Sequence, residues 1–127
     1  MEAYREAMRL KPDYAEAWYN LGFAYGKSSQ HAKAIESYRE AIRLEPDLTD
    51  AWYNLGVSHL ESGQIAKAIE AFSEAVRLKP DDAEAWTNLG VVYAASGNRG
   101  QARKVYEKLR KLDTAKAEEF FNEVILP

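Results

Sequence analysis

The phrase AWYNLG fills Ala17 to Gly22, returns unchanged at Ala51 to Gly56, and comes back as AWTNLG at Ala85 to Gly90. Trp18, Trp52 and Trp86 therefore stand 34 residues apart. The surrounding residues keep that register: Leu21, Leu55 and Leu89; Gly22, Gly56 and Gly90; Ala34, Ala68 and Ala102; Tyr38, Phe72 and Tyr106; Pro12, Pro46 and Pro80. A fixed period of this length restricts the chain to a stack of small units, none of which can bury its apolar face without a neighbour.

Each unit reads as two helices. Trp18, Leu21, Gly22 and Tyr25 fall at i, i+3, i+4 and i+7, one stripe of a helix. Gly inside that stripe costs about 1 kcal/mol of helix propensity, so its threefold recurrence predicts a second helix lying too close for a side chain. Ala34, Tyr38 and Ala41 form the answering stripe, predicting small Ala packed on small Gly between large Trp and Tyr residues, with Trp18, Trp52 and Trp86 buried. Ser62-Gly63 and Ser96-Gly97 end the first helices on a left-handed residue. Ser29 stands where the others have Gly, which predicts strain in that turn. RLEPD and RLKPD end the second helices, because Pro cannot continue a helix.

The pattern W-x2-L-G-x2-Y, then A-x3-F/Y-x2-A, then P, resembles the tetratricopeptide repeat. The resemblance covers nearly the whole chain: a half repeat over 1–14, repeats over 15–48, 49–82 and 83–116, and a capping helix over 115–126. It implies an all-α fold, a right-handed superhelix of antiparallel helix pairs whose first helices line a concave groove. The chain departs from the pattern at His59, at Leu109 and at Thr114, which take the places of Tyr, Ala and Pro. The last two mark the end of the array. Thr114 is expected to cap a final helix with Phe120, Phe121, Val124 and Ile125 on one face and Lys116, Glu119 and Glu123 on the other. At the other end, Glu2 to Lys11 reads as a second helix without its first, so the chain is expected to be the C-terminal piece of a longer array. Tyr4, Ala7 and Met8 would then offer an apolar strip for self-association.

Little in the sequence suggests catalysis. The chain has no Cys, which excludes thiol catalysis and thiolate metal sites. His31 and His59 lie 28 residues apart, one read as an exposed turn residue and one as a half-buried core residue. GNRG at Gly97 to Gly100 follows a helix rather than a strand, unlike a phosphate loop. Asp81 with Asp82, and Glu118 with Glu119, read as helix starts and solvated faces. A net charge of -3 argues against nucleic acid, and no apolar run is long enough to span a membrane. The expected protein is a non-enzymatic scaffold with no cofactor and no metal.

The groove stripe holds Glu16, Tyr19, Asn20, Phe23 and Lys27 in the first repeat. Asp50, Tyr53, Asn54, Val57, Leu60 and Glu61 follow in the second, and Glu84, Thr87, Asn88, Val91 and Ala94 in the third. Asn20, Asn54 and Asn88 make a ladder of amides, able either to grip a peptide backbone or simply to tidy helix contacts. Phe23, Val57 and Val91, with Tyr19, Tyr53 and Leu60, make the groove partly apolar, while Glu16, Asp50 and Glu84 edge it with acid. These features suit a neutral to basic peptide or partner helix with apolar anchors. Chaperone-binding members of the family carry a Lys and Arg carboxylate clamp. Tyr19, Phe23, Asn54, Glu84 and Asn88 stand at those positions, and only Asn54 fits. Two other roles compete: a structural or self-assembly module, and a substrate-presenting appendage of a larger enzyme.

Overall fold

The structure, a computed structural model, describes residues 14–126; the expectations placed on Glu2 to Lys11, including self-association, lie outside them. The described residues form α1 (Ala15–Lys27), α2 (His31–Leu44), α3 (Thr49–Glu61), α4 (Ile65–Leu78), α5 (Ala83–Ala95), α6 (Arg99–Leu112) and α7 (Thr114–Phe120). A π-helical turn, Phe121–Ile125, follows α7, and no strand occurs among the described residues. They divide into two compact units at Ala71 and Phe72, a break inside α4.

The turns explain why the first helices stop. Gln30 N–H reaches back to the Tyr25 carbonyl at 2.9 Å and Ser29 N–H to Gly26 at 3.0 Å. The same pair of bonds recurs from Gln64 to His59 and Gly63 to Leu60, and from Asn98 to Tyr93 and Gly97 to Ala94. This is a Schellman ending, which needs a left-handed residue after the helix. Gly63 and Gly97 supply it at φ 79° and 85°, and Ser29 adopts φ 60° despite its side chain.

In the first unit α1 packs on α2 and α2 on α3. Ala17, Leu21, Tyr25, Ala34, Ile35, Tyr38, Ala41, Ala51 and Leu55 are buried there. The expectation at Gly22 is met in part: the second helix does come too close for a side chain, but Ala is not what fills the gap. A Cβ on Gly22 would lie 2.8 Å from the Tyr38 ring. The expectation for tryptophan is corrected. Trp18, Trp52 and Trp86 are only half-buried, and the fully covered positions are their neighbours Ala17, Ala51 and Ala85. The reason is the polar edge of indole, which seeks a partner near water. Trp52 Nε1 donates to the Pro46 carbonyl and Trp86 Nε1 to that of Pro80, both at 2.8 Å, tying each proline turn to the helix that follows.

In the second unit α5 packs on α6, and α6 on α7. Leu109, where the earlier repeats have Ala, is fully buried. Gly90 is covered by Phe120 of α7, whose Cζ lies 2.6 Å from where a Cβ would be, with Val105 Cγ1 at 2.8 Å. Tyr106 turns to Phe121 instead, ring centres 5.0 Å apart. Two details of the cap differ from expectation. The N-cap is Asp113, not Thr114, and its carboxylate accepts from Lys116 N–H at 3.1 Å. The helix also widens after Phe120, with Leu126 N–H bonded to the Phe121 carbonyl at 2.8 Å. In an α-helix residues five apart diverge; the π turn brings Phe120 and Ile125 onto one buried side. Arg99 Nη1 donates to the Ile125 carbonyl at 3.3 Å and secures that end.

Candidate functional site

In the first unit α1, α2 and α3 enclose a cleft of about 190 Å³ lined by Phe23, Gly26, Lys27, Tyr38, Asn54, Val57, Ser58 and Glu61. Five groove residues read from the sequence stripe thus converge: Phe23, Lys27, Asn54, Val57 and Glu61. Phe23 is the prominent one, a large apolar side chain left 44% exposed. Lys27 stands with its Nζ 5.2 Å from the Phe23 ring centre. Glu61 faces His31, whose Nε2 lies 3.4 Å from its carboxylate. His31 is therefore no exposed turn residue: it is the first residue of α2 and half-buried.

Tyr19 sits behind this cleft, its ring 5.8 Å from that of Tyr38 and 6.5 Å from that of Phe23. Asn54 donates from Nδ2 to the Tyr19 hydroxyl and to the Asp50 carbonyl, both at 3.0 Å. An amide has two N–H donors, so both are spent within the fold. What Asn54 can still offer a ligand is its carbonyl oxygen, an acceptor for N–H groups. Burial raises the Tyr19 phenol above its ordinary pKa, the Asp50 carboxylate adds to the rise, and the Asn54 bond opposes it. Burial raises Tyr38 further. Both phenols are neutral donors at physiological pH.

The remaining stripe residues stand as follows. Glu16 is exposed and accepts from Tyr14 at 3.1 Å, Asp50 and Glu84 are exposed, and Asn20, Tyr53 and Leu60 are half-buried. On α5, in the second unit, Thr87 donates to the Ala83 carbonyl at 2.9 Å, Asn88 is half-buried, and Val91 is 39% exposed. Sequence reasoning missed Gly26, Tyr38 and Ser58 as lining residues. One signal for Tyr38 was present: Gly26 stands where the later repeats have Leu60 and Ala94, and a missing side chain opens the floor to the ring beneath, its hydroxyl 4.0 Å from where a Cβ would be.

Among the described residues no group of three or more His, Asp or Glu is placed to hold a metal ion. No described helix is long and apolar enough to cross a membrane.

The family model described as the cilia and flagella-associated protein 70 C-terminal domain matches residues 1–120. The crystal structure of MamA is similar to this one, with a TM-score of 0.85 and 32% identity over 92% of this chain and 68% of that chain. A second MamA crystal structure gives a TM-score of 0.84 and 32% identity, over 92% and 64%. The crystal structure of YrrB, titled a TPR protein with an unusual peptide-binding site, gives 0.81 over 94% and 62%. Its identity is 18%, so that likeness is one of fold. No curated protein matched the chain.

Proposed function

The chain belongs to the tetratricopeptide-repeat family, an all-α helical-repeat fold that serves as a protein-interaction scaffold, and from that premise we propose that the cleft of the first unit binds a peptide or partner helix without catalysis. The observation that carries this reading is the exposed Phe23 beside Val57 and the Tyr38 ring, an apolar anchor site bordered by Asn54, Ser58, Lys27 and Glu61. Apolar surface bordered by placed polar groups suits an anchored side chain. The edge residues Glu16 and Asp50 select against acid and for neutral or basic flanks. In the second unit Glu84, Thr87, Asn88 and Val91 hold the same register positions and carry a similar mix of acidic, polar and apolar groups. The charged residues of the cleft are Lys27 and Glu61, and Glu61 faces His31.

A displayed random peptide library tests this. The expected ligands are those lost on Phe23→Ala and Val57→Ala, roughly tenfold weaker as for an anchor residue, and they should be rich in basic and apolar residues. Lys33→Ala, on the exposed side of α2, should leave them bound. A pool that ignores Phe23 and Val57, or in which the Phe23-dependent peptides are acidic, defeats the reading.

A further inference from the structure

Thr87, Asn88 and Val91 occupy one side of α5; Trp86 and Leu89 take another. There, inside the second unit, α4, α5 and α6 enclose a further cleft of about 360 Å³. Val76, Leu89, Val105 and the half-buried Trp86 line it, with the exposed Lys104 and the half-buried Lys108.

The repeat register marks these lysines. Lys104 stands where the earlier repeats have Glu36 and Glu70, and Lys108 where they have Glu40 and Glu74. Glu40 and Glu74 pair with Arg43 and Arg77, each one turn on. Lys108 instead stands 5.7 Å from the Trp86 ring centre, and neither lysine is ion-paired with a described residue. Across α6 six basic residues stand against one acidic residue. Phe72–Pro127 as a whole carries nine of each. The positive charge is therefore gathered on one helix beside an apolar cleft, which suits a short acidic segment better than a long polyanion.

We propose that this cleft is a second, separate binding site, which takes an acidic protein segment carrying one bulky aliphatic side chain. The aliphatic group leaves water between Val76, Leu89 and Val105. Flanking carboxylates reach Lys104 and Lys108, and the half-buried setting of Lys108 strengthens its share. The scaffold then joins two partners of opposite charge preference.

The probe is a fluorescein-labelled synthetic peptide of Glu and Ser around one central Leu, titrated with the full chain and followed by anisotropy. Saturable binding that weakens with salt is expected. It should be roughly tenfold weaker for K104E/K108E, and for a probe with Glu replaced by Gln. Phe23→Ala should leave it unchanged, which separates this site from the cleft of the first unit. K104Q/K108Q serves the same purpose if the charge-reversed variant loses its helical circular dichroism. The proposal is overturned by the absence of saturable binding, by full-strength binding to the lysine variants, or by equal binding of the glutamine probe. Loss of binding on Phe23→Ala overturns it too. So does displacement by poly(U) RNA or phosphatidylserine vesicles at lower concentration than the unlabelled peptide, which would assign the cleft to nucleic acid or membrane.

Discussion

In the first unit the ring over Gly22 is Tyr38, a residue of the same helix pair; in the second the ring over Gly90 is Phe120, from α7 outside the pair. Their helix starts differ as well. Tyr14, Gln30 and Leu48 precede α1, α2 and α3 without a side-chain cap. Asp82, Asn98 and Asp113 precede α5, α6 and α7, and each accepts a backbone N–H from within the first turn. One repeat pattern is thus closed in two ways. A pair with a following helix lends its apolar face onward, whereas the last pair borrows a ring from the cap and secures its helix ends locally.

Removing the borrowed ring is the strongest way to break this contrast. Phe120 is 2% exposed, and Phe120→Ala should cost about 3–5 kcal/mol. Tyr106→Ala, at the position that in the first unit carries the covering ring, should cost only about 1–2 kcal/mol, since Tyr106 is half-buried against Phe121. Urea unfolding of the two variants decides it. A larger loss at Tyr106 than at Phe120 would show that the last pair closes on itself as the first does.

That exchange of rings shows where sequence reading ran out. Spacing made the helix pairs, their turns and the all-α fold legible, because a 3.6-residue stripe and a left-handed turn residue are local signals. The covering of Gly90 was not legible, because Phe120 and Tyr106 are both aromatic and only three-dimensional packing chooses between them. Trp52 was misread for a related reason. Its stripe position promised full burial, but the indole N–H donates to the Pro46 carbonyl at the turn and the ring is only partly covered by the core. At the candidate cleft, Phe23 and Lys27 on α1 and Asn54, Val57 and Glu61 on α3 were legible as the same face of two successive first helices. Tyr38 was not, since it belongs to the core by its own stripe and reaches the cleft through the absence of a side chain at Gly26.

The caps give a smaller effect that sharpens the same contrast. Asp82→Ala and Asp113→Ala should each cost about 1 kcal/mol, the usual value of a side-chain N-cap. Gln30→Asn, which copies Asn98 into the first unit, should gain a few tenths to about 1 kcal/mol. Equal midpoints for wild type and both Asp variants would mean that the capping bonds contribute nothing net.

Smaller still is the turn after α1. Ser29 holds φ 60° where Gly63 and Gly97 hold 79° and 85°. An L-residue there crowds its Cβ against the backbone, so Ser29→Gly should stabilise by about 1 kcal/mol or less, after the extra chain entropy of Gly is offset. Gly63→Ser should lose a similar amount. A stabilised Gly63→Ser would show that the side chain, not the backbone, governs these turns.

The last contrast is one of pH, and the smallest. Tyr25 and Tyr93 occupy the position that His59 holds on α3, where it is 3% exposed and has Nδ1 2.8 Å from the Gln64 amide oxygen. Burial lowers its pKa by stripping water from the imidazolium. Gln64 opposes that, Arg39 and Lys67 add to it, and Glu70 opposes it again. A base with a lowered pKa in the fold takes up its proton more readily when the chain is unfolded. Between the folded pKa and the ordinary value of 6.5 the unfolded state therefore binds more protons, and stability rises with pH. The contribution of neutral His59 is complete above about 6.5 and is lost as pH falls from there toward the folded pKa. His59→Tyr, which restores the residue of the other repeats, should flatten that part of the curve. Denaturant midpoints for both proteins from about pH 7.5 to 5.5 measure it. Parallel curves would place the pH sensitivity elsewhere and leave His59 as a packing variant of Tyr.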